Sequence, residues 1–453
     1  MQTRKIDVAI IGAGTAGIAA FQAIKAAGKQ VVLIDRGPLG TTCARVGCMP
    51  SKAALHAGMR WMTAKQLPAG AELLEQGPHA LWAHARQTRD ALASGAAQRI
   101  QKAADESLIM AEARFVAPGI LEVGNEHIEA DAFIVATGSS PVVPKALDVV
   151  ASRILTTDTL FELENLPKRL GIVGLGAIGL ELGLALSRLD VKVIAVDQRH
   201  AIGGIQDPDI QDRVISKFIA ELPMWLGSSV DVSLAGNDVF MHTSEHSAFV
   251  DCLLVVTGRA PNTAALNLAD AGIPLDASDR PSIDPVTMRA SDMPIFFAGD
   301  VQPDRPLMHE AADEGLMAAQ AVLSRLCGEQ WQGASRRVPI SILFTDPDVC
   351  AVGLSYDAAI QEGAVIGVAE GGGNGRSKIL GARENLLRIY VAPNTGILLG
   401  ASMFLARGEH LAHLIAWAIQ ARQTVGDMLA MPYYHPSIEE MLQSALKSAA
   451  QQL

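Results

Sequence analysis

Aromatic residues make up only 4% of this 453-residue chain, and cysteine occurs just five times. So few thiols in so long a sequence exclude a secreted disulfide scaffold. With aromatics scarce, the 49% hydrophobic content rests on Ala, Val, Ile and Leu, a composition suited to an α/β protein. Cationic side chains are outnumbered, 37 Lys and Arg against 48 Asp and Glu. The net charge of −11 argues against a nucleic-acid or anionic-membrane partner. An uninterrupted apolar span is also missing. The most membrane-like run, Leu170 to Leu186, is broken by glycines and by Glu181, and reads as a strand, a turn and a helix. The N-terminus enters a strand almost at once, leaving no room for a signal peptide, and the expected compartment is cytoplasmic. A chain of this length is expected to divide into about two to four domains.

What is present is organised around Thr42-Cys43-Ala44-Arg45-Val46-Gly47-Cys48-Met49-Pro50-Ser51-Lys52, which holds two of the five cysteines. In a regular α-helix residues i and i+5 stand roughly 8–9 Å apart at Cα and project about 140° apart, too far for a disulfide. Gly47 and Pro50 suggest a bent turn that brings the sulfurs together. Two readings are open on the residues alone: a pair cycling between disulfide and dithiol, or two buried, unpaired thiols. Cys252, Cys327 and Cys350 read as buried and inert.

The cysteines follow a strong dinucleotide signal. A strand, Ile6 to Ile11, runs into Gly12-Ala13-Gly14-Thr15-Ala16-Gly17, then a helix to Gly28 and a second strand ending at Asp35. Glycines here let backbone approach a pyrophosphate at a helix N-terminus, and the acid is placed for ribose hydroxyls. The pattern repeats: strand Leu170–Val173, Gly174-Leu175-Gly176-Ala177-Ile178-Gly179, a helix, and strand Val191–Val196 ending at Asp197. Two such fingerprints imply two dinucleotides. Asp197 favours NAD over NADP, although Arg199 stands nearby to serve a 2′-phosphate.

Between the fingerprints, residues 51–105 are expected to be mainly helical, with a Pro/Gly-interrupted stretch at Leu67–Pro78. Strands are expected at Leu108–Val116, Gly119–Val123 and His127–Ala130. Another, from Phe133, enters the Ala136-Thr137-Gly138-Ser139 turn. Val255 to Asn262, with Gly258 and Arg259, repeats the strand-to-Gly turn and is expected to close the second unit. Ala298-Gly299-Asp300 ends a further strand before a helix from Met308 to Leu326. Asp300 either accepts from flavin ribityl hydroxyls or caps that helix. From about Val338 strands (Ile340–Phe344, Leu386–Val391, Ile397–Phe404) alternate with long helices, as in a separate α+β domain, and Gly371 to Gly375 reads as a flexible loop. Near the C-terminus, Glu440 lies five residues after His435, on a helix expected to open at Pro436. It can fix the imidazole tautomer, or the His-Pro turn is structural.

Together these motifs resemble the flavin-dependent pyridine nucleotide–disulfide oxidoreductases, in particular their dihydrolipoamide dehydrogenase branch. The resemblance spans essentially the whole chain and adds Pro50-Ser51-Lys52 and Phe344-Thr345-Asp346-Pro347 to the motifs above. It implies an α/β fold of two Rossmann-like dinucleotide-binding domains plus a C-terminal α+β dimerisation domain. The implied division is 1–147 for FAD, 148–268 for NAD, 269–336 for the second FAD-binding part and 337–453 for dimerisation. It makes Cys43 the interchange thiol and Cys48 the flavin-facing thiol, and places Lys52, paired with Glu181, near flavin N5. FAD and NAD contacts are implied for Gly12, Gly14, Gly17, Asp35, Arg36, Thr42, Ala113, Thr137, Gly138, Ser139, Asp300, Met308, Gly174, Gly176, Gly179, Asp197 and Gly258. It also implies a homodimer in which His435 and Glu440 of one subunit complete the cysteine site of the other, with a small thiol or disulfide, or a lipoyl-bearing protein, as partner. The reaction implied is oxidation of dihydrolipoamide by NAD⁺. The rivals are an NAD(P)H-dependent reductase of another small disulfide, a quinone or a metal ion, and a flavin-holding structural or regulatory subunit. The chain departs from the family at Thr41, where Gly is usual, and at Arg45, where Asn is usual. The added cation at 45 is expected to lower a thiol pKa or to suit an anionic substrate. A vicinal C-terminal cysteine pair of the mercuric reductase kind is absent, since Cys350 is the last cysteine.

Overall fold

Strands that lack polar alternation, such as Val31–Asp35, whose first four residues are all buried, must be covered on both faces. The computed structural model describes residues 2–67, 71–290, 292–329 and 331–453, and 71–73 by backbone only. The chain divides into two compact units, Met1–Pro50 with Ala85–Val142 and Gly258–Arg336, and Ser51–His84 with Val143–Thr257 and Arg337–Leu453.

In the first unit the strand Gln2–Ile11 pairs in parallel with Val31–Asp35 on one side and Glu126–Val135 on the other. Glu126–Val135 also takes Ile295–Phe297 in parallel and the antiparallel strand Ile120–Val123. The segments expected separately at His127–Ala130 and from Phe133 are therefore one continuous strand, because Asp131 between them faces solvent without breaking the ladder. Helices Thr15–Ala26 and Met308–Leu326 cover one face of this sheet, with Phe21, Ile24, Phe296 and Val322 fully or almost fully buried between the layers.

In the second unit five parallel strands run in the order Met224–Leu226, Lys192–Asp197, Arg169–Val173, Cys252–Val255, Ile154–Leu155. An antiparallel three-stranded sheet, residues 231–250, lies against it through Val239, Met241 and Val250. Residues 340–405 form a five-stranded antiparallel sheet, with helices Gly408–Gln420 and Glu440–Ala450 packed on it. Two of its strands, Asp348–Gly353 and Val365–Glu370, were not anticipated. Of the stretch Leu67–Pro78, residues 68–70 lie outside the described residues, and helices Cys48–Gln66, Ala71–Gln76 and Pro78–Ala104 account for the rest of this region. Gly371–Gly375 is not a loose loop. A short 3₁₀ turn leads into the helix Gly375–Ile379, capped by Asn374, and Gly371 is buried where a Cβ would lie 2.7 Å from Ala382 O. No helix among the described residues is long and apolar enough to cross a membrane.

The two helices of the first unit touch backbone to backbone. A Cβ at Gly315 would lie 2.3 Å from Ala16 O. Alanine gains up to about 1 kcal/mol of helix propensity over glycine, but overpacking here costs about 1–3 kcal/mol, so the clash should win. Gly315→Ala is expected to lower the urea midpoint; an unchanged or raised midpoint would show that the helices separate freely.

Candidate active site

The helix Thr42–Arg45 is only four residues long, and after Val46 and Gly47 a new helix starts at Cys48. This interruption brings the Cys43 and Cys48 thiols into hydrogen-bond contact, which an unbroken helix forbids. Cys43 is a half-buried thiol and Cys48 an exposed one. The Cys43 thiol is pushed far above its usual range, first by the Cys48 hydrogen bond and then by burial, while the backbone N–H groups of Cys48 and Met49 pull the other way. Arg45 lies between the two cysteines in sequence. Its Nη1 reaches Pro38 O at 3.5 Å and its stem packs beside Gly40. Thr41 has φ 62° and ψ 147°, a backbone that favours glycine and costs a β-branched residue about 1–3 kcal/mol. Its Oγ1 offsets part of that cost by accepting Ala44 N–H at 3.2 Å. Thr42 is the exposed first residue of the short helix.

Gly12 has φ 105°, and a Cβ there would lie 2.2 Å from Ala136 O; one at Gly17 would lie 1.8 Å from Gly12 O. At Gly14 the nearest atom would be Ala136 O at 4.0 Å, so the space beside it is open. The helix that follows carries no side-chain cap, which leaves its first amides available to a phosphate. Asp35 accepts Ala13 N–H at 2.7 Å and Gly37 N–H at 2.6 Å, while Arg36 reaches Glu112 at 3.7 Å. The Thr137 turn is tied to Asn262, Thr137 Oγ1 donating to Asn262 O at 2.8 Å and Asn262 Nδ2 to Thr137 O at 3.0 Å. Gly138 takes φ 68° with nothing within 4 Å of its Cβ position. Ser139 Oγ donates to Asp300 at 3.4 Å, and Arg259 grips Ser139 through Oγ at 2.9 Å and O at 2.6 Å. Arg259 carried no role in the sequence reading; its signal was its place after Gly258. The strand Arg259–Pro261, expected to close the second unit, pairs instead with Ser139–Pro141. Burial pushes the Asp300 carboxyl up, and Arg259 and Ser139 partly oppose this. Ala113 opens a buried strand edge, and Met308 is the exposed first residue of its helix.

The second fingerprint repeats the first closely. Gly174 has φ 104°, a Cβ at Gly179 would lie 2.0 Å from Gly174 O, and nothing lies within 4 Å of that position at Gly176. Asp197 accepts Leu175 N–H at 2.7 Å and Arg199 N–H at 2.8 Å. In both cradles the space beside the middle glycine, Gly14 or Gly176, is open to a pyrophosphate, so the residues fit two dinucleotides.

Lys52 Nζ bonds both Glu181 oxygens, at 2.8 and 2.7 Å. Glu181, 4% exposed, also accepts from Ser51 Oγ at 3.2 Å and Phe344 N–H at 3.0 Å. The Lys52 ammonium sits 4.9 Å from the Phe344 ring centroid. Lys52 lies on the helix Cys48–Gln66 and Glu181 on the helix Ala177–Arg188, which meet closely at Gly58, where a Cβ would lie 2.8 Å from Arg188 Cβ. His435 Nδ1 donates to Glu440 Oε1 at 2.9 Å, which leaves Nε2 as the acceptor on an exposed ring. Ser437 N–H and then His435 hold the Glu440 carboxyl below its usual range. The helix opens at Glu440 rather than at Pro436. Of the remaining cysteines, Cys350 is buried, but Cys252 is half-buried with its thiol pushed up to about 11 by burial, and Cys327 is exposed because its helix ends at Leu326.

Residues 6–315 match the family model of the pyridine nucleotide-disulphide oxidoreductases, and residues 339–446 match that family's dimerisation domain. The chain belongs to this family. It is a flavoprotein disulfide oxidoreductase that uses FAD and a pyridine nucleotide, and its dimerisation domain supports a homodimer. A dihydrolipoyl dehydrogenase of Haloferax volcanii is 29% identical over 98% of this chain and 96% of its own. A mercuric reductase of Lysinibacillus sphaericus is 31% identical over 79% of this chain and 66% of its own. The Cu(II) complex of the HOCl-induced flavoprotein disulfide reductase RclA from Escherichia coli superposes with a TM-score of 0.84 over 98% of this chain and 99% of that one, at 24% identity, a likeness in fold.

Removing Lys52 isolates the buried Glu181 carboxylate. With Ser51 and Phe344 still donating, Lys52→Met is expected to cost about 3 kcal/mol. Urea denaturation should show a lowered midpoint for this variant, and an unchanged midpoint would refute it.

Proposed function

We propose that the protein oxidises dihydrolipoamide to lipoamide with NAD⁺ through the Cys43–Cys48 couple. The observation that carries this reading is the sulfur pair, in mutual contact at the start of a helix and free to close into a disulfide. Residues 1–147 and 269–336 would hold FAD, 148–268 NAD, and 337–453 the second subunit. FAD contacts are assigned to Gly12, Gly14, Gly17, Asp35, Arg36, Thr42, Ala113, Thr137, Gly138, Ser139, Asp300 and Met308. NAD contacts fall to Gly174, Gly176, Gly179, Asp197 and Gly258. Lys52 and Glu181 place a paired charge near flavin N5.

A free thiol of pKa about 8.5 is only about 3% thiolate at neutral pH. His435 Nε2, oriented by Glu440 and contributed by the partner subunit, removes that proton. The substrate sulfur attacks Cys43, the Cys43–Cys48 bond breaks, and Cys48 leaves as a thiolate. The second substrate sulfur then displaces Cys43, giving a disulfide product and a reduced cysteine pair. Bound FAD, held by the residues assigned above, would supply the acceptor for the two electrons of that pair and their donor to NAD⁺.

Similarity to a mercuric reductase favours a second reading, reduction of a soft metal ion held by the same two sulfurs. Steady-state assays with dihydrolipoamide plus NAD⁺, NADPH plus glutathione disulfide, and NADPH plus Hg(II) or Cu(II) separate these readings. Dihydrolipoamide with NAD⁺ is expected to give the highest kcat/KM, and negligible turnover of that pair would overturn the first reading. His435→Gln should keep flavin bound while slowing thiol oxidation about 10²–10⁴-fold; unchanged turnover would remove His435 from the mechanism.

A further inference from the structure

The strand Ile295–Phe297 ends its ladder when Ala298 N–H donates to Val135 O at 3.0 Å. The next amide, Gly299, has φ 81° and turns out of the sheet into the protein interior, where an unpaired N–H is costly. It is met by the Glu314 carboxylate, 2% exposed, whose Oε2 accepts Gly299 N–H at 2.7 Å. We infer that Glu314 is a positioning residue for the flavin site, holding the Gly299 amide and thereby setting where Asp300 presents its carboxylate. This rests on the reading that Asp300 accepts from the flavin's ribityl hydroxyls.

The rest of the neighbourhood supports a built anchor. Glu314 Oε1 is paired with Arg336, which also bonds Asp304 at 3.1 Å, and Glu310 one turn earlier is countered by Arg305 at 3.3 Å. Burial pushes the Glu314 carboxyl up to about 7, with Gly299 N–H and Arg336 pulling the other way, so an ionisable group is kept where desolvation opposes it. Gly299 O accepts Gln302 N–H at 2.8 Å, so the turn is held on both sides of the glycine. A Cβ at Gly299 would lie 3.0 Å from Ala16 Cβ, and one at Gly315 2.3 Å from Ala16 O. The helix carrying Glu314 therefore cannot slide relative to the turn without striking the first fingerprint helix. Asp300 itself is fixed from its other side by Ser139, under the grip of Arg259.

Two variants separate reach from charge. Glu314→Asp keeps the charge facing Arg336 but withdraws the acceptor from Gly299 by one methylene. The double variant Glu314→Gln/Arg336→Gln removes both charges but keeps an amide oxygen for Gly299, the second glutamine accepting from the first. FAD affinity is read by flavin fluorescence as apoprotein is added, with Asp300→Ala as the control for the underlying reading. The inference expects Glu314→Asp to bind FAD roughly 10–100-fold more weakly, the loss of one charge-assisted hydrogen bond. The double variant should stay within about threefold of the unsubstituted protein. The inference is overturned if Glu314→Asp binds FAD normally while Asp300→Ala does not. It is also overturned if the double variant is as weak as Glu314→Asp or weaker, because charge or general packing would then be responsible. Normal FAD binding by Asp300→Ala overturns the ribityl reading itself, and the inference with it.

Discussion

Two sulfurs five residues apart on an unbroken helix stand roughly 8–9 Å between Cα atoms, and the chain meets that constraint by stopping one helix at Arg45 and restarting another at Cys48. The dithiol chemistry proposed for the pair depends on this gap. Val46 is buried and Gly47 admits no side chain without crowding, since a Cβ there would lie 3.0 Å from Thr42 O. The segment before the gap is held under tension at Thr41, whose left-handed backbone is secured by its own cap to Ala44. Sequence at this point buys a local geometry rather than burial of apolar surface, and the fold around it supplies the stability.

That supply is most evident where backbone meets backbone. In each fingerprint the first glycine lets the turn approach the end of a neighbouring strand, Gly12 at Ala136 and Gly174 at Val256, and the third packs on the first. The same logic recurs at Gly58 and Gly315, where helices are drawn together and polar side chains are thereby placed. Lys52 meets Glu181 because two helices touch at Gly58, so an ion pair is positioned by the absence of side chains a turn or two away.

The two fingerprints, the cysteine turn and the His435–Glu440 pair were legible because each is a local pattern with a local cause: glycine where backbone crowds, an acid at a strand end, a carboxylate within reach of a ring. What could not be read depends on pairing between distant segments. Arg259–Pro261 has no periodicity that directs it to Ser139–Pro141. Arg259 acquires its partners Ser139 and Asp300 only through that ladder. The strands Asp348–Gly353 and Val365–Glu370 are as long as the expected Leu386–Val391 but are not buried throughout as it is, and they gain their order from antiparallel neighbours. Arg45 shows the same limit, since its contact with the Pro38 carbonyl and the approach of its stem to Gly40 have no signal in the sequence. Glu440 was read correctly as the partner of His435, yet its helix begins four residues later than the proline implied.

Asp35 and Asp197 each use both carboxylate oxygens on backbone N–H groups of their own loops. The acids proposed to meet the two riboses are thus also the buckles that keep the glycine turns closed. Any redesign of nucleotide preference at residue 197 acts on loop architecture at the same time as on ligand choice. Selectivity in this chain is therefore adjusted more safely from the exposed Arg199 than from the carboxylate beside it.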